Sequence, residues 1–130
     1  MDRLRDHLVR EYRKKTAKSR AVFRRAEKVM IEGGSHTIRL WRPYPFFAAA
    51  AEGPSVRDID GNTYIDFSSG IYVVNCGHSH PKITEAIQKQ VATLMNAHDF
   101  TTPIKRDLLV KLAEITPGDP NGAQLYSTGL

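Results

Sequence analysis

The sequence holds a single cysteine, Cys76, so no disulfide can close within the chain and a reducing compartment is the default expectation. It has no apolar run near the roughly 18–20 residues that cross a bilayer. The longest suspect, Phe46 to Ala51, is short and mostly alanine. No apolar stretch of the signal-peptide kind stands behind the charged N-terminus. Acidic residues are scarce only at the start: residues 1–30 carry eleven Lys/Arg against four Asp/Glu, which leaves eight against ten for the rest. Such an excess is the footprint of nucleic-acid or membrane-surface contact, or simply of a solvated helix face. The second reading is favoured, because Asp2, Asp6, Glu11 and Glu27 are interleaved with the basic residues and no aromatic stacking platform accompanies them. A mitochondrial presequence would avoid those acids. Neither nucleic acid nor membrane is expected as a partner, and the cytoplasm is the expected location.

The 130 residues suit one domain or part of a larger one. Residues 2–14 read as a helix with Leu4, Leu8 and Tyr12 on one face. A second helix is predicted over 19–31, capped by Ser19 and ended by Gly33-Gly34. Pro43 and Pro45 exclude helix from residues 35–54, which read as irregular or extended. Trp41, Tyr44, Phe46 and Phe47 there read as packing under a loop. Val56–Ile59 and Thr63–Phe67 flank Asp60-Gly61-Asn62, a hairpin signature, since a tight reverse turn needs positive φ. Ile71 to Asn75 is a short apolar run. Pro81 suits a helix start, and Ile83, Ile87, Val91 and Leu94 mark its buried face through about Asn96. A further helix starts near Pro103 with Thr102 as cap and Ile104, Leu108, Leu112 and Ile115 as stripe. Ala123 to Ser127 reads as a strand starting.

Few constellations carry chemistry. His78 and His80 form a pair that could bind zinc only with further ligands, and the plainer reading has both imidazoles bonding backbone at a helix start. Arg39, set in Thr37-Ile38-Arg39-Leu40-Trp41, could grip a carboxylate with two parallel hydrogen bonds or make a surface salt bridge. Small hydroxyl residues and glycine in Tyr126-Ser127-Thr128-Gly129 are what a phosphate cradle requires, though the triplet alone is a weak signal.

Taken in order, four segments carry a resemblance. They are Val56-Arg57-Asp58-Ile59-Asp60-Gly61-Asn62-Thr63-Tyr64-Ile65-Asp66-Phe67, then Gly77-His78-Ser79-His80-Pro81, then Leu112 to Gly118, then Gln124 to Gly129. Together they resemble the class III aminotransferases, a branch of fold type I pyridoxal-phosphate enzymes. Ala26 to Phe47, with Gly33-Gly34 and Arg39, is similar to the glutamate-1-semialdehyde aminomutase side of that class.

The resemblance implies an α/β fold. Residues 1–100 would be the N-terminal part of a small domain with a helical extension, and 101–130 the start of a cofactor-binding large domain. It implies pyridoxal 5'-phosphate as cofactor, an amino-acid or amine substrate and a homodimer. Ser127, Thr128 and Gly129 would hold the cofactor phosphate, Arg39 a substrate carboxylate, and Ile71 and Tyr72 would line the substrate pocket. The expected activity is transamination between an amino donor and a keto or aldehyde acceptor. An aminomutase, a racemase, or a short product pairing with a full-length subunit are the alternatives. The family's cofactor-bearing lysine has no counterpart in context here, so an N-terminal fragment with no catalytic residue of its own, inactive by itself, is expected.

Overall fold

The structure is a computed structural model and describes residues 2–34, 36, 41–98, 100–118 and 122–126. The chain separates into two compact units, Met1–Glu85 and Ala86–Leu130.

The first unit opens with two helices, α1 (Asp2–Lys15) and α2 (Ala17–Ala26). They meet at Thr16, which is fully buried. Its hydroxyl donates to the Tyr12 carbonyl at 2.6 Å and lies 3.0 Å from the Tyr44 hydroxyl. Tyr12 in turn donates to the Tyr44 carbonyl at 2.9 Å. The Tyr44 ring is buried against Tyr12 and Phe23, with centroids 5.3 and 6.0 Å away. Of the expected α1 face only Tyr12 is engaged in this way; Leu4 and Leu8 stay exposed. Within the aromatic group, Tyr44 is buried as packing requires, Phe46 stacks on Tyr64 at 4.7 Å, and Trp41 stays largely exposed at the edge of Phe46.

Ser19 does not cap α2 as its position suggested. The helix begins earlier, and Ser19 lies buried inside its first turn. The cap comes from the hairpin turn instead. Asp60 Oδ1 accepts the Lys18 N–H at 2.6 Å, and Oδ2 accepts both the Ser19 N–H at 2.9 Å and the Ser19 hydroxyl at 2.6 Å. A carboxylate at this helix end satisfies free donors and opposes the dipole favourably. The helix stops at Ala26 rather than running to residue 31; a 3-10 turn over Ile31–Gly33 follows.

The sheet has three antiparallel strands in the order β1 (Ala48–Glu52), β2 (Ser55–Asp58) and β3 (Thr63–Ile65). The β2–β3 hairpin forms where the Asp-Gly signal placed it, with Gly61 at φ 94°. Strand β1 was not foreseen, because four alanines carry little strand preference. It pairs Ala51 with Val56 and Glu52 with Ser55, with an irregularity between Ala48 and Ala50.

Asp58, only 2% exposed, ends β2 and organises the turn. It accepts the Asp60 and Asn62 N–H groups at 3.0 and 2.8 Å, the Asn62 amide at 2.8 Å and the Tyr64 hydroxyl at 2.9 Å. Burial pushes the Asp58 carboxyl up, yet these donors together outweigh it and hold the group below the usual carboxylate range. Asp60 behaves alike: burial raises it, and Ser19 and the two helix N–H groups pull it lower. The native state therefore binds fewer protons than the unfolded chain in acid. The stability these two groups contribute is complete above the unfolded carboxylate value of about 3.9 and is lost as pH falls through their lower folded values. Acid titration followed by circular dichroism should show unfolding below that range. An Asp58→Asn, Asp60→Asn pair should flatten the slope; an unchanged slope would assign acid sensitivity to other groups.

After a single helical turn, α3 (Ser69–Tyr72), helix α4 (Pro81–Thr93) leads into the second unit, which contains α5 (Pro103–Ile115). The Thr102 hydroxyl caps α5 at the Lys105 N–H, 3.4 Å away. Ile83, Ile87 and Val91 on α4, Leu94 just past its end, and Ile104, Leu108 and Ile115 on α5 are all exposed. Residues 122–126 are described but join no ladder, so the described part of the expected strand at 123–127 is not one. No helix among the described residues is long and apolar enough to cross a membrane.

Candidate active-site loop

Between β3 and α4 the chain makes a loop whose middle is a single helical turn, α3 (Ser69–Tyr72). Four consecutive residues there are left-handed: Ser69 at φ 45°, Gly70 at 63°, Ile71 at 62° and Tyr72 at 65°. The Tyr72 N–H donates to the Ser68 carbonyl at 3.0 Å, and Val73 and Val74 both donate to Ser69. The left-handed turn replaces the plain apolar run that the sequence showed. It costs about 1–2 kcal/mol for each non-glycine residue, and a β-branched residue such as Ile71 is a genuine outlier there. Such strain persists only where neighbouring structure fixes it, and it gathers at binding and catalytic sites. Phe67, Ile71, Tyr72 and Val73 are all exposed on this loop.

Two anchors fix the loop. Asp66 continues past β3, its N–H donating to Pro54 at 2.8 Å. Its Oδ1 accepts the Ser68 and Ser69 N–H groups at 2.9 and 3.0 Å, which starts the turn. At the far end His78 exchanges both backbone hydrogen bonds with Gly53, at 2.8 and 3.0 Å, and Ser79 donates to the Ala51 carbonyl at 2.8 Å. The two anchors also meet each other: His78 Nε2 lies 2.7 Å from Asp66 Oδ2. An ionised carboxylate can only accept, so that ring nitrogen carries the proton. The His78 bond, then the Ser69 N–H, hold the Asp66 carboxyl below the usual carboxylate range against a small opposing effect of burial.

This pairing corrects the plain reading of the two histidines. The side chain of His78 reaches a carboxylate, while His80 Nδ1 is buried with no hydrogen-bond partner. Sequence reasoning missed Asp66 as a partner because twelve positions separate it from His78. The signal available was the short distance, opened by Ser68-Ser69-Gly70, between strand end and Gly77-His78.

Elsewhere in the first unit, Met30, Trp41, Phe46 and Phe47 line an apolar cavity of about 270 Å³. In the second, Lys105, Arg106, Leu109 and residues 122–125 border an open groove of about 770 Å³. Of the expected site residues, Ile71 and Tyr72 stand side by side on the loop. Arg39 and Ser127, Thr128 and Gly129 lie outside the described residues.

A family model for class-III aminotransferases matches residues 39–129. The chain belongs to the class III aminotransferase family. Glutamate-1-semialdehyde 2,1-aminomutase 1 of Cenarchaeum symbiosum is 37% identical over 114 residues, which cover 85% of this chain and 26% of that protein. A solved transaminase with pyridoxal phosphate bound superposes with a TM-score of 0.70 at 33% identity, over 76% of this chain and 23% of that one. An omega-transaminase from Sphaerobacter thermophilus gives 0.69 at 31% identity, over 76% and 22%. The chain thus spans about a quarter of the length of the relatives it matches. Its helices and small antiparallel sheet have the fold type I transferases as structural neighbours, and the class III family uses pyridoxal phosphate. Among the described residues no phosphate cradle is assembled: Gly122 to Tyr126, which lead to Ser127, are exposed and unpaired in any ladder.

Proposed function

We propose that these residues serve a pyridoxal-phosphate-dependent aminotransferase that moves an amino group from an amino-acid or amine donor to a keto or aldehyde acceptor. The match of residues 39–129 to the class III family carries this reading. The cofactor, when bound, supplies the electron sink for amino-group chemistry. This chain's own part is to bind and orient. Arg39 takes a substrate carboxylate, Ile71 and Tyr72 wall the substrate pocket, and Ser127, Thr128 and Gly129 contribute to the phosphate site. The partition into residues 1–100 and 101–130, and a homodimer, belong to the same reading. In the assembled enzyme the exposed stripes of α4 and α5 are covered by partner structure, as amphipathic faces require. An aminomutase is the second reading, favoured by relatives of that name from 32 to 44% identical.

Activity assays with cofactor and a panel of donors and acceptors separate these. The assembled holoenzyme should transaminate, and the 130 residues by themselves should not turn over. Conversion of glutamate 1-semialdehyde without an external acceptor would identify the aminomutase. Turnover by the 130 residues with all eight lysines replaced by arginine would overturn the inactivity of the isolated chain.

A further inference from the structure

We propose that Asp66 and His78 are positioning residues: their side-chain bond closes the mouth of the 67–77 loop and holds Ile71 and Tyr72 in the left-handed turn that presents them to substrate. The part concerning substrate rests on the function proposed above; the part concerning the loop stands on geometry alone.

The turn cannot hold itself. Ser69, Ile71 and Tyr72 each occupy a backbone region that side chains disfavour. The hydrogen bonds inside the turn run only to Ser68 and Ser69. Asp66 and His78 are the residues at which the loop leaves and rejoins the sheet, through Pro54 and Gly53 respectively. Their side chains are partly buried, at 19% and 23% exposure, which strengthens a charge-assisted bond by excluding water. One carboxylate thus does two things. Oδ1 starts the turn through the Ser68 and Ser69 N–H groups, and Oδ2 ties that start to the loop's other end. A shift of His78 is transmitted to the turn through a single side chain.

The arrangement assigns the two residues unlike roles in a test. His78→Phe keeps a ring but removes the donor to Asp66. His78→Gln keeps an N–H donor at similar reach. Asp66→Asn attacks the bond from the other side. Hydrogen exchange of the 130-residue chain is the direct readout. In His78→Phe, the Tyr72, Val73 and Val74 amides should lose at least tenfold in protection while the β1–β3 amides keep theirs. His78→Gln should recover most of the loss, and Asp66→Asn should resemble His78→Phe. Unchanged protection at 72–74 in His78→Phe would overturn the proposal. So would an equal loss throughout the sheet, which marks a merely structural pair; if His78→Phe does not fold, Asp66→Asn is judged by the same criteria.

The second arm is steady-state kinetics of the holoenzyme. His78→Phe should raise KM for the amino substrate several-fold with kcat largely kept, and Tyr72→Ala should do the same. If Tyr72→Ala raises KM and His78→Phe does not, the positioning role fails. If neither Ile71→Ala nor Tyr72→Ala changes KM or kcat, the substrate-facing reading fails, and hydrogen exchange alone decides the clamp.

Discussion

Replacing Asp58 with alanine is expected to lower the unfolding free energy of the sheet-containing unit by about 3 kcal/mol. Asp58 is 2% exposed and accepts four hydrogen bonds: from the Asp60 N–H, the Asn62 N–H, the Asn62 amide and the Tyr64 hydroxyl. The alanine leaves all four donors in place without an acceptor. Leaving a buried donor unpaired costs about 1–3 kcal/mol, and water can reach some of these four after relaxation. The loss also spreads. Asp60, held by Asp58, caps α2, and Asn62 donates to the Lys15 carbonyl at the end of α1 at 2.9 Å. One turn thereby fastens both N-terminal helices to the sheet. Tyr64→Phe removes a single donor and should cost about 1 kcal/mol, because the carboxylate keeps its other partners. Its phenol, pushed up to about 12 by burial and by the Asp58 carboxylate, should titrate only in strong alkali. Urea unfolding followed by Trp41 fluorescence measures both losses. An Asp58→Ala loss no greater than that of Tyr64→Phe would contradict the network.

The sequence made the elements with strong local chemistry legible. Asp60-Gly61-Asn62 announced the hairpin because its turn needs a residue that accepts positive φ, and Gly61 does. Thr102-Pro103 announced α5 because a hydroxyl cap and a first-turn proline both act locally. What depended on distant partners stayed hidden. Ser19 looks like a cap from its neighbours alone, but a carboxylate 41 positions away takes that role. The alanine strand β1 exists because β2 supplies its ladder, not because alanine favours strands. The left-handed turn at Ser69–Tyr72 contradicts the local preference of Ile71 and Tyr72, so no reading of preference could reach it. For the candidate site, the resemblance drew attention to Ile71 and Tyr72, whereas the bond between Asp66 and His78 needed coordinates. Local rules fail here at a strained segment, which is where a functional demand most often overrides them.

Gly77→Ala is expected to cost about 2–3 kcal/mol, the second large effect in this fold. Two penalties act together. Gly77 sits at φ 82°, where a Cβ meets the backbone, and that alone costs about 1 kcal/mol or more. A Cβ there would also lie 3.0 Å from the Gly53 Cα and 3.2 Å from its carbonyl carbon and oxygen. Those atoms are backbone and cannot swing aside as a side-chain tip could. Gly53 is the residue that exchanges both hydrogen bonds with His78, so the clash falls on the bridge that anchors the loop. Gly61→Ala provides the comparison. Gly61 lies at φ 94° with nothing within 4 Å of an added Cβ, so it should show the conformational penalty alone, about 1 kcal/mol. The difference between the two, read from urea midpoints, isolates the cost of forcing Gly53 and His78 apart. Hydrogen exchange should locate it: the Gly53 and His78 amides lose protection in Gly77→Ala and keep it in Gly61→Ala. Equal losses for the two variants would mean that the close approach of Gly77 to Gly53 contributes nothing, and that the loop is held at its Asp66 end alone.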